Sequence, residues 1–230
     1  RPASPPPSIT TVPEEDSFVL MDNLTHTLYG LALANTGLNK FSPGATAAIL
    51  IGANLPDVDI ISIFQGAIGY LKYHRGITHS LSGIPLGAAI LTTVLVFVHN
   101  HWLKRKPAII WWKFLVLAAL GVASHVLLDY MNSYGLRLFA PFSYKWYAGD
   151  LIFIVDPWIL LILGLCVGLP FLFGLINQEI GAKKKENRGA AWLCLLLVGG
   201  YWGAKGFQPN LAREGFKRGG KGGFLLLRVS

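Results

Sequence analysis

The feature that most constrains the fold is a series of long apolar runs separated by short basic stretches. The runs cover residues 81–98, 108–131 and 151–176, and a shorter one covers residues 190–204. About 20 apolar residues in a helix are needed to cross the hydrocarbon core of a bilayer, so the first three runs predict membrane helices. The fourth run is marginal in length, and we expect it either to span the membrane or to lie in the interface.

Composition agrees with this interpretation. Hydrophobic residues make up 53% of the chain and charged residues 14%, which is typical of a membrane protein. The net charge of +8 comes from Lys and Arg that fall between and after the apolar runs, without interleaved aromatic residues. We therefore interpret these cations as topology signals and headgroup contacts, and expect a lipid bilayer and no nucleic acid as partner.

The two ends differ from the middle of the chain. Residues 1–20 are rich in proline and lack both a basic start and a continuous apolar stretch, which predicts a disordered extension and no signal peptide. Residues 205–230 form a basic, glycine-rich tail without helical periodicity, predicted to be poorly ordered. The membrane-embedded helical domain is then expected over residues 21–204.

Two shorter helices are predicted before the first span. Asp22 or Asn23 is a suitable N-cap for a helix that ends near Gly37. A second, apolar helix over residues 44–55 should be stopped by Pro56, because the residue before proline is pushed out of the helical region. The predicted fold class is an all-α integral membrane protein, with an N-terminal short helical hairpin, three or four membrane helices and a polar site at one membrane face.

The most polar stretch inside this apolar chain is HRGITHS, residues 74–80, directly before the first long run. Histidines at the mouth of a membrane helix are unfavourable without partners, which indicates a site. A polar loop with Thr78 or Ser80 as a helix N-cap is the alternative.

Topology predicts that polar residues from several segments converge. If the basic stretches 104–106 and 183–188 both face the cytoplasm, alternating helices carry the other polar residues to the outer face. The residues expected there are His26, Asp57, Asp59, His79, His125, Asp129, Asp150 and Asp156. Helix ends accumulate polar residues in any case, so convergence alone does not establish a site.

Spacing and residue type favour a metal. His125 and Asp129 are four residues apart on a predicted helix and can bind one cation, although a structural His–Asp hydrogen bond is an alternative. The candidate metal ligands are His26, Asp57, His79, His125 and Asp129. Imidazole and carboxylate together favour a divalent metal such as zinc or manganese over calcium. Such an ion lowers the pKa of a bound water to about 7.

Four residues are predicted to assist the chemistry: Asp59, His74, Arg75 and Asp156. Asp59 can act as a base or hold a metal ligand in place. The guanidinium of Arg75 can hold a phosphate or a developing negative charge. Alternatively, Arg75 pairs with Asp57 or Asp59 to hold the loop, or contacts lipid headgroups.

Five short motifs, taken together, carry a family resemblance. They are THTLYG, NLPDVD, HRGITHS, SHVLLD and WYAGDLIFIVDPW, between about residues 21 and 176. In order and spacing this set resembles the YdjM-like family of bacterial inner-membrane proteins, assigned by motif as metal-dependent hydrolases. The resemblance implies a multi-pass bacterial inner-membrane protein and a hydrolytic class without a defined substrate. A fainter similarity to zinc-dependent phospholipase C and related nucleases favours phosphoester or lipid-like, anionic substrates.

Two other classes of function compete with this one. Histidine and aspartate inside a membrane also serve proton or metal relays, so an ion- or proton-coupled transporter is the alternative. A transporter places its ligands near the membrane midplane between broken helices, whereas a hydrolase gathers them at an interface. A structural subunit would scatter its polar residues in pairs without a common centre.

Overall fold

The computed structural model describes residues 14–66, 74–153, 155–179 and 188–226. In this part of the chain the α-helices are α1 (Glu14–Asn35), α2 (Ala45–Asn54), α3 (Gly83–Phe97), α4 (Trp111–Met131), α5 (Pro157–Glu179) and α6 (Arg188–Leu226). A 3₁₀ segment, Pro56–Gln65, follows α2, and a short 3₁₀ turn, Ile77–His79, precedes α3. Sheet pairing among the described residues is limited to two isolated bridges. The predicted all-helical membrane class is confirmed.

Three helical segments are long and apolar enough to cross a membrane. They are Gly83–Trp102, in which one π-helical turn extends α3, together with Trp111–Met131 and Pro157–Ile176. Ala45–Asn54 and Pro56–Phe64 together pass the same test, with a bend of 42° between them. The bend lies at Pro56, as predicted, because proline cannot continue the hydrogen bonding of α2. It places Asp57 and Asp59 directly after a break in an apolar segment.

The contact between α2 and α4 is unusually close because two glycines face each other. A Cβ added to Gly121 would lie 2.5 Å from the carbonyl oxygen of Ile49, and one added to Gly52 would lie 2.8 Å from that of Ala118. Small residues allow two helix backbones to approach in this way, which is a common basis of helix association in membranes. Buried Ala48 and Ile49 of α2 pack in the same core as Leu117 of α4.

A second core joins α1 to α5 and α6. Ala32 of α1 packs with Ile159 and Leu163 of α5, and with Cys194 and Val198 of α6, all of them buried. This packing fixes α1 on both sides, since its other neighbour is α2, where Thr27 and Asn54 are hydrogen-bonded at 3.1 Å. His26 directly precedes Thr27 in the sequence and is held in the interior.

The helix boundaries differ from the prediction at both ends of the chain. α1 begins at Glu14, so Asp22 lies inside the helix and is not its N-cap. Residues 1–13 of the predicted disordered extension lie outside the described residues, as do residues 227–230 of the tail. α6 continues to Leu226, through the predicted poorly ordered tail.

Candidate metal centre

Four segments that are distant in sequence meet at one buried cluster. α1 contributes His26, the bend after α2 contributes Asp57, the 3₁₀ turn before α3 contributes His79, and the end of α4 contributes His125 and Asp129. These five residues are the metal ligands predicted from the sequence. They form two overlapping groups whose ligand atoms lie within 4.8 Å of one another: His26, His125 and Asp129, and Asp57, His79 and His125.

Four of the ligand atoms lie especially close together, and we call these four residues (Asp57, His79, His125 and Asp129) the quartet. His79 Nε2 lies 3.1 Å from His125 Nε2, 3.3 Å from Asp57 Oδ1 and 3.3 Å from Asp129 Oδ2. His125 Nε2 lies 3.4 Å from Asp57 Oδ1 and 3.5 Å from Asp129 Oδ2. Asp129 Oδ2 is buried and has no hydrogen-bond partner among the described residues.

These separations fit ligands of a single metal ion. Metal bonds of about 2.0–2.1 Å to nitrogen and oxygen place neighbouring tetrahedral ligands ~3.3–3.4 Å apart. The five quartet distances, 3.1 to 3.5 Å, lie around that value. The residues present therefore fit a divalent metal, with two imidazoles and two carboxylates as candidate ligands.

The Nδ1 atom of each quartet histidine lies within hydrogen-bonding distance of an oxygen atom of the protein. His125 Nδ1 lies 2.7 Å from the carbonyl oxygen of Ala53, and His79 Nδ1 lies 3.2 Å from Asp59 Oδ2. An oxygen at Nδ1 makes that nitrogen the donor, so the lone pair is on Nε2 and points toward the quartet. The close α2–α4 contact is what brings the Ala53 carbonyl to His125.

The carboxylates of Asp57 and Asp59 favour protonation of His79. Burial by itself lowers the pKa of His79, but hydrogen bonds to Asp57 and Asp59 outweigh burial and raise the pKa above its ordinary value. In the absence of a metal, a proton on His79 is thus favoured by the surrounding negative charge. A metal held by the quartet would take the place of that proton.

Asp59 organises the loop that carries His79. Its Oδ1 lies 2.8 Å from His74 Nδ1, and its Oδ2 accepts the backbone N–H of Arg75 at 3.0 Å and the hydroxyl of Thr78 at 2.6 Å. One carboxylate therefore binds three residues of the HRGITHS stretch. Arg75 has a positive φ of 54°, and its backbone bond to Asp59 helps to hold that strained conformation.

Arg75 is buried, and its guanidinium faces protein oxygens. Nη2 lies 3.1 Å from Asp22 Oδ2 and 3.4 Å from Asp129 Oδ1, and Nη1 donates at 3.3 Å to Asn132 Oδ1. The pairing partners are thus Asp22 and Asp129, and not Asp57 or Asp59 as in the alternative raised from the sequence. These contacts make Arg75 a positioning residue for Asp129; its recognition of phosphate stays a prediction.

His26 lies against the quartet without completing it. Its ring stacks on that of His125, with 3.8 Å between the centroids, and its Nε2 lies 3.5 Å from oxygens of both Asp22 and Asp129. His26 is 1% exposed, and neither ring nitrogen has a hydrogen-bond partner among the described residues. A buried imidazole that lies near two carboxylates without a hydrogen bond fits an additional ligand of the same metal centre.

Asp156 has the contacts of a helix cap. Its Oδ1 accepts the backbone N–H groups of Trp158 and Ile159 at the start of α5, and its Oδ2 accepts the hydroxyl of Tyr201 at 3.0 Å. Both carboxylate oxygens are engaged in joining α5 to α6. A catalytic role for Asp156 stays a prediction that these contacts do not favour.

Sequence reasoning missed two residues of the site, Asp22 and Asn132. Asp22 precedes His26 by four residues on α1, the same one-face spacing that drew attention to His125 and Asp129, so it was detectable. Asn132 follows α4 directly and binds Arg75 and the backbone N–H groups of Tyr134 and Gly135. A single Asn after a helix has no spacing signal that reveals such a role.

Comparison with known proteins agrees with the motifs. The family described as YdjM inner membrane protein matches residues 21–212. A Bacillus subtilis (strain 168) relative, the uncharacterized protein YfhP, is 30% identical over 149 residues. The alignment covers 60% of this chain and 43% of the relative, so the chain spans less than half of that protein's length. No solved structure matches the chain.

Proposed function

The chain belongs to the YdjM inner membrane protein family, and from that premise and the geometry of its His/Asp cluster we propose that it is a membrane-bound, metal-dependent hydrolase. The observation that carries the proposal is the quartet. Two buried imidazole lone pairs and two carboxylate oxygens converge with 3.1–3.5 Å separations. Acceptors of this kind repel one another unless a metal ion, or a proton on one of the histidines, lies between them.

The ligand set favours zinc or manganese among divalent ions. Mixed imidazole and carboxylate donors suit these metals, whereas calcium prefers six to eight oxygen ligands. A bound metal of this kind acts as a Lewis acid and lowers the pKa of a coordinated water to about 7. Asp57, His79, His125 and Asp129 would hold the ion, with His26 as the adjacent ligand.

The remaining site residues handle protons and charge. Asp59 holds His74 Nδ1 at 2.8 Å, which places the lone pair of that imidazole on Nε2 and makes His74 a candidate general base or acid. Arg75 balances the charge of Asp22 and Asp129. The substrate class that this arrangement supports best is a phosphoester or lipid-like ester, because the site lies at the end of apolar helices.

The position of the centre favours hydrolysis over transport. His125 and Asp129 lie in the last two turns of α4, which runs from Trp111 to Met131. Ligands at a helix end are expected near a membrane interface, whereas a carrier needs them near the midplane between broken helices. Asp57 follows the 42° break after α2, so the preference for hydrolysis rests on the helix-end position of His125 and Asp129. We further propose that the protein crosses the bacterial inner membrane several times, with the centre at the outer face, opposite the basic stretch 104–106.

Metal analysis of the purified protein tests the proposal. We expect about one zinc or manganese ion per chain, hydrolysis of simple phosphoesters that stops on chelation, and sharp loss of both in His79→Ala and His125→Ala. His101→Ala is the matched control, because His101 is exposed and stacks on Phe97, away from the quartet. Equal metal content in the wild type and both quartet variants would refute the proposal. Metal binding with ion flux and no hydrolysis would favour the transporter.

A further inference from the structure

A groove of about 620 Å³ opens beside the metal centre, between α1 and the bend after α2. Leu50, Ile51, Leu55 and Val58 provide its apolar wall, and Asn23 and Asp57 are among its polar lining residues. The groove is open and shallow, and not an enclosed cavity, so it can cover one side of an organic molecule, in contrast to the closely packed quartet.

The groove is the side from which the quartet is accessible. The side chains of His79, His125 and Asp129 are 0–1% exposed, whereas that of Asp57 is 19% exposed. Asp57 Oδ1 is itself a quartet atom, 3.3 Å from His79 Nε2. Asp57 is both the most exposed residue of the quartet and part of the groove lining. A molecule in the groove can therefore contact the quartet at Asp57.

The chemistry of the groove indicates an amphiphile. Its apolar wall continues to an exposed apolar rim, where Ile51 is 42% and Val58 is 49% exposed, within a segment apolar enough to lie in a membrane. Near α1, Asn23 Oδ1 is buried and has no hydrogen-bond partner among the described residues. An apolar wall suits a hydrocarbon chain, and the unpaired acceptor suits a hydroxyl or amide donor on its polar part.

We infer that this groove binds the hydrocarbon chain of an amphiphilic ester taken from the surrounding bilayer, and that the ester group reaches the metal centre past Asp57. The inference rests on the proposed hydrolytic function and adds its substrate class and route of entry. The chain lies along Leu50, Ile51 and Val58, with a donor group of the substrate bound to Asn23. The open rim lets a lipid enter sideways from the membrane without leaving it.

Photocrosslinking in lipid nanodiscs tests the groove independently of activity. The probe is a long-chain alkyl phosphate with a diazirine at the end of its chain, and mass spectrometry locates the labelled peptide. We expect labelling to concentrate in the peptide that contains residues 50–58 in the wild type. Unlabelled long-chain alkyl phosphate should compete with the probe, and butyl phosphate should not.

A matched pair of variants separates the groove from ordinary lipid contact. Ile51→Trp fills the groove and should lower labelling of residues 50–58 about tenfold, the change expected when at least two methylene groups lose their contacts. Ile90→Trp is the control, because Ile90 is an exposed isoleucine of α3 outside the groove lining. Labelling spread evenly over α3 and α5, or unchanged in Ile51→Trp, would overturn the inference.

The outcomes for the two proposals are distinguishable. Metal content and hydrolysis of butyl phosphate test the hydrolase, whereas chain-dependent labelling tests the groove. Specific labelling without metal or hydrolysis would overturn the hydrolase and leave a lipid-binding groove. Metal-dependent hydrolysis without chain-dependent labelling or competition would overturn the groove and leave the hydrolase.

Discussion

At the residue scale, the interactions of single polar atoms decide what each predicted residue can do. His79 and His125 point their Nε2 atoms at the quartet because Asp59 and Ala53 occupy the opposite ring nitrogens. The sequence predicted the two histidines as ligands from residue type and position. The Ala53 carbonyl was not predictable, because a backbone group has no sequence signature and its position depends on helix packing.

Arg75 shows the same limit of prediction from sequence. The guanidinium was recognised as important, but its partners Asp22 and Asp129 lie 53 and 54 residues away along the chain, on two different helices. Local spacing favoured pairing with nearer acids. Only tertiary packing shows that its charge balances a quartet carboxylate.

Removal of the Arg75 guanidinium should weaken both the fold and the metal centre. Arg75→Ala should unfold at a lower temperature and lose metal, because a buried carboxylate left without its cation costs about 3–5 kcal/mol. Adding Asp22→Ala should restore part of the loss, with a coupling of roughly 0.5–3 kcal/mol in thermal unfolding of the detergent-solubilised protein. Arg137→Ala is a control at an arginine that stacks on Trp146. An Arg75→Ala protein with normal stability and metal, but weaker binding of butyl phosphate, would show instead that Arg75 recognises substrate.

At the element scale, the glycine contact between α2 and α4 determines whether the site can form. Apolar runs and Pro56 were sufficient to predict where α2 ends and that α4 exists. They were not sufficient to predict that Gly52 and Gly121 face each other, because partner choice between helices depends on the whole packing arrangement. The early start of α1 and the length of α6 were missed for a simpler reason: proline before residue 14 and glycine after residue 204 are unfavourable in helices, and the prediction followed that propensity.

Enlarging Gly121 should disturb the metal centre from a distance. In Gly121→Ala the added Cβ would lie 2.5 Å from the Ile49 carbonyl oxygen, so α2 must move and carry the Ala53 carbonyl away from His125. We expect metal affinity to fall by ~10–100-fold, as is typical when the partner of a ligating histidine is lost. Metal titration measures this change. Gly164→Ala is the control, because nothing lies within 4 Å of a Cβ at Gly164, and equal affinity in the two variants would contradict the argument.

At the scale of the whole molecule, convergence of distant residues was predictable and the groove was not. Alternating membrane helices with polar ends leave few arrangements, so the sequence was sufficient to predict that His26, Asp57, His79, His125 and Asp129 lie together. The groove arises where α1 fails to cover the bend at Pro56. Such a void depends on side-chain shapes along two elements, and hydropathy contains no information about it.

The orientation of the molecule in the membrane gives a further prediction. Arg105 precedes α4, and Asp129 lies near the end of that helix. The part of α4 from Trp111 to Asp129 is about 27 Å long, close to the thickness of the hydrocarbon core. If the basic stretch is cytoplasmic, Lys145→Cys, in the exposed loop after α4, should react with a membrane-impermeant maleimide in intact cells. Arg105→Cys should react only after permeabilisation, with Cys166 and Cys194 replaced by serine in both proteins. The reverse pattern would place the centre at the cytoplasmic face.

The close approach of Gly52 and Gly121 also affects the rate at which the metal site can open. The ring of His125 is held by a carbonyl of the neighbouring helix, so it cannot turn away from the quartet without losing that hydrogen bond while α2 and α4 stay in contact. Loss of His125 as a ligand would then wait for the two helices to part, a collective motion on a microsecond-to-second scale and not a local side-chain rotation. If that opening sets the rate at which a bound ion is released, two ions of different affinity would leave at the same pace.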